Sequence, residues 1–514
     1  MKKNCSAYIV LLGCCFFISG SALSQRDKIE QQHTLIFMFD GLRPDYITPE
    51  QMPNLYAFRQ KWSYGKDHHS IFPTVTRVNS SSYSTGSYPA KHGILGNTVF
   101  FPEVDPVKGL NTGDAADLNK IDAATQGNLL TAVSLGEILQ KAGKKMYVFS
   151  SGSTGQALLQ NHKVSGGAII NPEMILPASF KTEVIATIGQ VPPHGEPNTS
   201  QHHWVVDAFL HYGAKANGPD VSAIWLSDPD GTAHNKGIGS AEAVNSIKIV
   251  DMEFGRIIDS LAARGLDKQF NILIATDHGF VTNVNKGDAI GTADLLVKNG
   301  LKQSQLSDDV VIAEGAVYVK DHNPEKIRKI VTLLQQQQTT GAIFTKAAQT
   351  GDQKGWVPGT LSFDLIHWNH PQRAADILVS RDWSDDLNDK GYAGVTFSRG
   401  VAGHGGSSKY EFHIPLIVGG PAFKTAFTSS LPTANIDIVP TVLTLHGLPV
   451  PDAMDGRVLT EFMIGKKSTI QSVPRKEKVQ TEVQLDGFTY RVTVEQVSLG
   501  KYRYINYAKA ERNK

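Results

Sequence analysis

Residues 33–39 make a short apolar run that stops at Asp40-Gly41, the pattern of a buried parallel strand delivering a carboxylate at its C-terminal end. Runs of the same kind recur at residues 145–150, 221–226, 270–275 and 415–419. Between them the spacing turns helical, at residues 135–142 and again at 240–265. In the longer segment Val244, Ile247, Val250, Phe254, Ile257 and Leu261 recur every three or four residues and form one apolar stripe. Strands alternating with helices predict an α/β fold, a doubly wound, mainly parallel sheet flanked by helices. Ligands of such sheets bind beyond the carboxyl ends of the strands.

Residues 281–400 break this rhythm with Trp356, Trp368, Trp383 and many polar turns, and read as a cap inserted over the site. A helical pattern opens near Pro324, and the glutamine run at residues 335–338 is expected to be its solvated end. After Gly465, Val479, Thr481, Val483 and Leu485 alternate, Asp486-Gly487 follows, and Phe488, Tyr490, Val492 and Val494 alternate again. Asp-Gly between two alternating runs is a hairpin signal. The expected organisation is a catalytic domain over residues 25–465 and a small C-terminal β-hairpin appendage over 466–514.

Composition narrows the class. The 514 residues are 41% hydrophobic and 19% charged, enough for a large soluble core. A net charge of +1 leaves no basic excess for binding nucleic acid through bulk charge, so any phosphate has to be gripped locally. Lys2 and Lys3 precede an apolar run at residues 7–18, and Ala22 and Ser24 stand in small-x-small positions. That pattern is an export signal over residues 1–24, which predicts a periplasmic or secreted protein with no transmembrane segment in the mature chain. The three cysteines, Cys5, Cys14 and Cys15, all lie inside it, so the mature chain would have neither disulfide nor catalytic thiolate. Leu11-Leu12-Gly13-Cys14 also fits a lipoprotein box tethering the chain through Cys14, but the apolar run continues past that cysteine.

Four segments supply ligand-type side chains: Asp40, then Asp230 with His234, then Asp277 with His278, then His404 in a glycine-rich loop. Carboxylate mixed with imidazole suits zinc and other first-row divalent metals, and six such groups suffice for two ions. Each alone has a structural explanation, as a helix cap or an exposed loop histidine. The meaningful feature is that all six fall where a doubly wound sheet brings them together. Phe72-Pro73-Thr74-Val75-Thr76-Arg77-Val78-Asn79 reads as a loop entering a helix, and a hydroxyl there would face unpaired N–H groups and the positive end of the dipole. Composition does not choose among Thr74, Thr76, Ser80 and Ser81.

The order of these motifs resembles the nucleotide pyrophosphatase/phosphodiesterase family of the alkaline phosphatase superfamily. The resemblance rests on Phe39-Asp40-Gly41-Leu42-Arg43, on the Pro-Thr-x-Thr-x-x-Asn segment ending at Asn79, on Thr85-Gly86 with Tyr88-Pro89, and on His92-Gly93-Ile94 with Asn97. Asp228-Pro229-Asp230-x-x-x-His234, Thr276-Asp277-His278-Gly279 and Gly403-His404-Gly405 continue it. The resemblance implies a zinc-dependent hydrolase of a small-molecule phosphate ester, a nucleotide among the candidates, with Thr76 as nucleophile. It implies that Asp40, Asp277 and His278 hold one Zn2+ beside Thr76, and that Asp230, His234 and His404 hold the other. Asn97 and the backbone N–H of Arg77 would bind a non-bridging phosphate oxygen. Where the family usually has an aromatic residue after the nucleophile, this chain has Arg77, whose side chain is a candidate for a second phosphate charge. Residues 150–155 contain no Lys or Arg where related monoesterases grip a dianion, which favours diesters. Alternatives on the same scaffold are an alkaline phosphomonoesterase or a phosphonate hydrolase. A sulfatase lacks its Cys/Ser-x-Pro-x-Arg signature here, and a catalytically silent binding protein would be expected to have lost ligands.

Overall fold

The computed structural model describes residues 32–284, 291–466, 470 and 472–513; the export signal expected at residues 1–24, Cys14 included, lies outside them. At the centre is a ten-stranded sheet. Five of its strands run parallel, in the order Ala168–Ile170, Met146–Ser150, Val221–Pro229, His33–Asp40 and Phe270–Thr276. His33–Asp40 is buried along its whole length. Its Ile36 and Met38 enter one core and its Leu35, Phe37 and Phe39 the other, so two helical layers cover the two faces. The long helix, Ala241–Ala263, is capped by Ser240, ends before Gly265 at φ +68° and packs Ile247, Val250, Phe254, Ile257 and Leu261 into the second core.

The sheet departs from the expected pattern beyond Phe270–Thr276. His413–Gly419 pairs antiparallel with that strand and with Ser63–His69. A fully buried strand is apolar whichever way it runs, so the pattern marks its existence and not its direction. Ser63–His69 itself reads Ser-Tyr-Gly-Lys-Asp-His-His and carries no apolar signal. Its histidines are buried by hydrogen bonding: His68 reaches Thr433 Oγ1 at 2.8 Å and Asn435 Oδ1 at 3.1 Å, and His69 reaches Thr433 O and Asn506 Oδ1, both at 2.9 Å.

The region after Phe270–Thr276 folds as two smaller sheets. Val281–Asn283 on entry and Ala402–Gly403 on exit pair with one another, so the excursion closes beside the place it left. Ile377–Arg381 lies near the middle of a five-stranded sheet over which the helix Pro324–Gln335 packs. Gln335 is buried and donates to Pro358 O at 3.0 Å, so the first glutamine of the run belongs to the core and not to a solvated helix end. At the C-terminus, Arg475–Leu485 and Phe488–Leu499 form a hairpin around Gly487, and a third strand, Tyr502–Asn513, follows Gly500. This sheet is packed into the body rather than appended to it. Tyr490, Val492 and Val494 join the core of the 281–400 region, while Val497, Leu499 and Tyr504 pack with Ile71, Val75 and Val78.

Candidate active site

The parallel strands deliver the expected side chains to one end of the sheet. Asp40 closes the first strand, Asp277 and His278 follow Phe270–Thr276, and His404 follows Ala402–Gly403. Asp230 opens the helix Asp230–Lys236, which puts His234 one turn on and on the same face. His278 Nε2 lies 3.0 Å from Asp277 Oδ2, 3.6 Å from Asp40 Oδ1 and 3.9 Å from Asp230 Oδ1. Asp230 Oδ1 in turn lies 3.2 Å from His404 Nε2 and 3.3 Å from His234 Nε2. All six converge, with Asp230 at the junction between a His278 group and a His234–His404 group.

What these atoms can bind follows from the far side of each imidazole. Nδ1 of His278 faces Gly279 O at 3.0 Å, Nδ1 of His234 faces Ala402 O at 3.1 Å, and Nδ1 of His404 faces Thr74 O at 2.9 Å. A carbonyl only accepts, so each Nδ1 carries the proton, and in the neutral ring each Nε2 presents a lone pair to the cluster. Three carboxylate oxygens facing the same space, Asp40 Oδ1, Asp230 Oδ1 and Asp277 Oδ2, are buried without a hydrogen bond. Lone pairs converging on lone pairs repel one another unless a cation lies between them, and Nδ1 held by a carbonyl is the usual support of a metal-binding histidine. The residues therefore fit divalent cations. The protein's own groups leave the cluster electrostatically divided. Burial, with Asp277 and Asp230 alongside, holds Asp40 well above the usual carboxylate range, and burial with the stacked His278 ring pushes His404 down to about 4.

Thr76 is the first residue of the helix Thr76–Thr85, and its hydroxyl lies 3.3 Å from His278 Nε2. The other candidate hydroxyls are committed elsewhere. Thr74 Oγ1 donates to Gly406 O, Ser80 Oγ to Thr76 O and Ser81 Oγ to Arg77 O. Thr74 is thus no helix cap: its carbonyl holds His404 and its hydroxyl holds the loop that carries it. Asn97 Oδ1 accepts from the Arg77 N–H at 3.1 Å, so the two groups expected on one phosphate oxygen are bonded to each other. The Arg77 side chain packs against Gly113, where a Cβ would fall 2.3 Å from its Nη2.

The model of the type I phosphodiesterase / nucleotide pyrophosphatase family matches residues 34–394, most of the chain. The chain belongs to that family. Among curated relatives, ectonucleotide pyrophosphatase/phosphodiesterase family member 1 of Mus musculus is 25% identical over 256 residues, 49% of this chain and 24% of the mouse protein. Venom phosphodiesterase 2 of Crotalus adamanteus is 25% identical over 252 residues, 49% of this chain and 27% of the venom protein. The matched part thus spans about a quarter of these relatives' length. Among solved structures, murine ectonucleotide pyrophosphatase/phosphodiesterase 5 superposes with a TM-score of 0.58 at 18% identity, covering 82% of this chain and 96% of the murine one. An inactive threonine-to-alanine variant of that murine protein is known in complex with AMP.

Several supporting residues of this family member escape motif reading. Trp225 donates its Nε1–H to Asp40 Oδ2 at 2.9 Å, and the Gly41 N–H donates to Asp277 Oδ1 at 3.1 Å. Asp228 accepts from the Asn198 and Thr232 backbone N–H groups and the Thr232 hydroxyl, and its Oδ2 lies 2.9 Å from His202 Nε2; this ties down the loop that carries Asp230. Asp228 was within reach of sequence reading as part of Asp228-Pro229-Asp230. Trp225 looks like any core aromatic of a buried strand.

Proposed function

We propose that this chain is a two-cation phosphoric ester hydrolase that cleaves phosphodiesters or nucleotide pyrophosphate linkages through Thr76. The observation that carries the reading is the set of three imidazoles pinned by backbone carbonyls, whose lone pairs converge with three orphaned carboxylate oxygens on one cluster, with the Thr76 hydroxyl 3.3 Å from His278 Nε2. Asp40, Asp277 and His278 would hold one cation together with Thr76, and Asp230, His234 and His404 the other; the mixture of nitrogen and oxygen donors suits zinc. Bound there, the ions supply Lewis acidity toward the ester and lower the pKa of the hydroxyl. Thr76 Oγ1 attacks phosphorus, the bond to the leaving oxygen breaks, and a phosphothreonine forms that water then releases. The N–H groups opening the Thr76–Thr85 helix favour the anion, and Asn97, whose Oδ1 accepts from the Arg77 N–H, would supply its amide nitrogen as a donor to one of the anion's oxygens. The AMP complex of the murine relative supports a nucleotide as substrate. The absence of Lys and Arg from residues 150–155 supports a diester over a monoester. The export pattern before Gln25 supports a periplasmic or secreted location, and no described helix is long and apolar enough to cross a membrane.

Elemental analysis of the purified chain should find close to two zinc or similar ions, and chelation should abolish turnover. On the metal-loaded protein, bis(4-nitrophenyl) phosphate should be cleaved faster than 4-nitrophenyl phosphate and than an aryl phosphonate. Full activity in a metal-free preparation rejects the mechanism, and a faster monoester moves the reading to a phosphomonoesterase.

A further inference from the structure

A cavity of about 520 Å³ opens from the cation cluster toward the 281–400 region, and Glu314 lines it together with His234 and His404. Glu314 opens the two-residue turn Glu314-Gly315 between the strands Val310–Ala313 and Ala316–Val319, in which Ala313 pairs with Ala316. Its φ is +59°, in the left-handed region, where glycine is the residue without a steric penalty. A glutamate persists in such a conformation only where its surroundings hold it, and positions of this kind cluster at functional sites. The carboxylate is held: Oε2 accepts from the Asn97 N–H at 2.8 Å and, less closely, from the Thr98 N–H at 3.4 Å. It reaches them through a notch left by Gly96, where a Cβ would fall 2.8 Å from Glu314 Oε2.

Asn97 is fixed on three sides. Thr112 donates to Asn97 O from its N–H at 3.0 Å and its hydroxyl at 2.7 Å, the Arg77 N–H reaches Asn97 Oδ1 at 3.1 Å, and Glu314 takes the Asn97 N–H. Of these three partners, Glu314 is the one that comes from the 281–400 region. The same region grips the preceding residues as well, since Trp368 Nε1 donates to Leu95 O at 2.9 Å and Arg373 Nη1 to Gly93 O at 3.1 Å. Glu314 differs from these two in bringing a charged acceptor, the stronger kind of hydrogen bond, to the residue placed on the phosphate. A shift of about 1 Å in a positioning group costs on the order of a hundredfold in rate. We infer that Glu314 is a positioning residue for the proposed ester hydrolysis: from the inserted region it holds the Asn97 backbone so that the Asn97 amide meets a non-bridging phosphate oxygen. The inference rests on the phosphoric ester reading and deepens it, because it makes the 281–400 region part of the phosphate-binding loop's support and not only a cover over the site.

The test is a double-mutant cycle on the metal-loaded full chain, read as kcat/KM for bis(4-nitrophenyl) phosphate together with Tm. Glu314→Gly removes the carboxylate and suits the φ of the turn, so it separates positioning from stability: kcat/KM should fall by about tenfold or more while Tm holds or rises. Glu314→Gln, which keeps an accepting oxygen without the charge, should lose less. In an Asn97→Ala background, itself slow, Glu314→Gly should cost less than about twofold further, because the group it positions is gone. A Glu314→Gly enzyme within about twofold of the wild type overturns the inference, and so does a loss of the same size in both backgrounds. If Glu314→Gly fails to fold, the same cycle with Glu314→Gln decides on the same criteria. Loss of the parent reading looks different: the wild type turns over no phosphate ester, or Asn97→Ala runs at the wild-type rate. Hydrogen exchange over residues 93–99 needs no substrate, and it should quicken in Glu314→Gly; unchanged exchange overturns the clamp in either case.

Discussion

At the scale of single residues, the site's inventory was legible because chemistry restricts which side chains can serve, whereas its wiring was not. Asp40, Asp230, His234, Asp277, His278 and His404 are named by their types and by their places after strands. The carbonyls of Thr74, Gly279 and Ala402 that orient the imidazoles leave no trace in residue identity, since every residue has a carbonyl. Thr76 stands out in the fold because Thr74, Ser80 and Ser81 spend their hydroxyls on backbone oxygens. Thr76→Ala should therefore leave the chain folded and its metal content unchanged while slowing diester turnover by several orders of magnitude. Thr76→Ser should retain measurable activity. Thr74→Ala removes a hydrogen bond to Gly406 O and should cost about 1 kcal/mol of stability, with turnover still detectable. Steady-state rates and metal analysis on the three variants decide the matter: near-normal turnover in metal-loaded Thr76→Ala would transfer the attack to water.

At the scale of elements, the strands that are apolar on both faces and the alternating Asp-Gly hairpin announced themselves, whereas Ser63–His69 and Tyr502–Asn513 did not. Ser63–His69 is held by histidine hydrogen bonds, which carry no periodicity. The last strand, Tyr502–Asn513, hides for a different reason: a bulge opposite Glu495 and Gln496 shifts its register and buries the adjacent Tyr504 and Ile505, which breaks the alternation. Gly500-Lys501 was the available turn signal. The consequence is energetic, since Leu499 is fully buried against the segment that leads into Thr76. Ala508 O also accepts from Ser407 Oγ and Trp383 Nε1, which fixes the chain just beyond His404. Leu499→Ala should destabilise the whole protein by about 2–5 kcal/mol in urea unfolding, as a core truncation does. A loss under about 0.5 kcal/mol, typical of a surface position, would mean that the C-terminal sheet is an appendage after all.

At the scale of the whole molecule, burial of uncharged histidines ties distant parts together and makes the fold acid-sensitive. His446 Nε2 lies 3.0 Å from Thr34 Oγ1 in the central sheet, His370 Nε2 lies 3.0 Å from Thr131 Oγ1, His367 stacks on Tyr88 at 3.9 Å, and His68 bonds Thr433 and Asn435. Burial pushes His367, His370 and His446 down to about 4 and His68 to about 3. The unfolded chain binds protons at these positions from about pH 6.5 downward, so it gains protons before the folded one does. Stability is then fully present above that pH and is lost progressively as pH falls towards 4. Asp437 works in the opposite sense. Burial raises it to about 6, so it takes up its proton in the folded state first and adds stability between about pH 6 and 4. Burial raises Asp40, Asp251, Glu314 and Glu411 as well, but it also lowers His69, His92, His162 and His404 alongside the four named above, so the histidines set the sign. Thermal unfolding followed by tryptophan fluorescence from pH 7.5 to 4.0, in chelator so that proton-driven metal release does not contribute, should show Tm falling steadily below pH 6.5. His446→Gln keeps a polar partner for Thr34 but does not titrate in this range, and should make the fall shallower than in the wild type. A Tm that stayed level to pH 4.5 would mean that these histidines are already protonated in the native fold, and would overturn the neutral, buried ties described above.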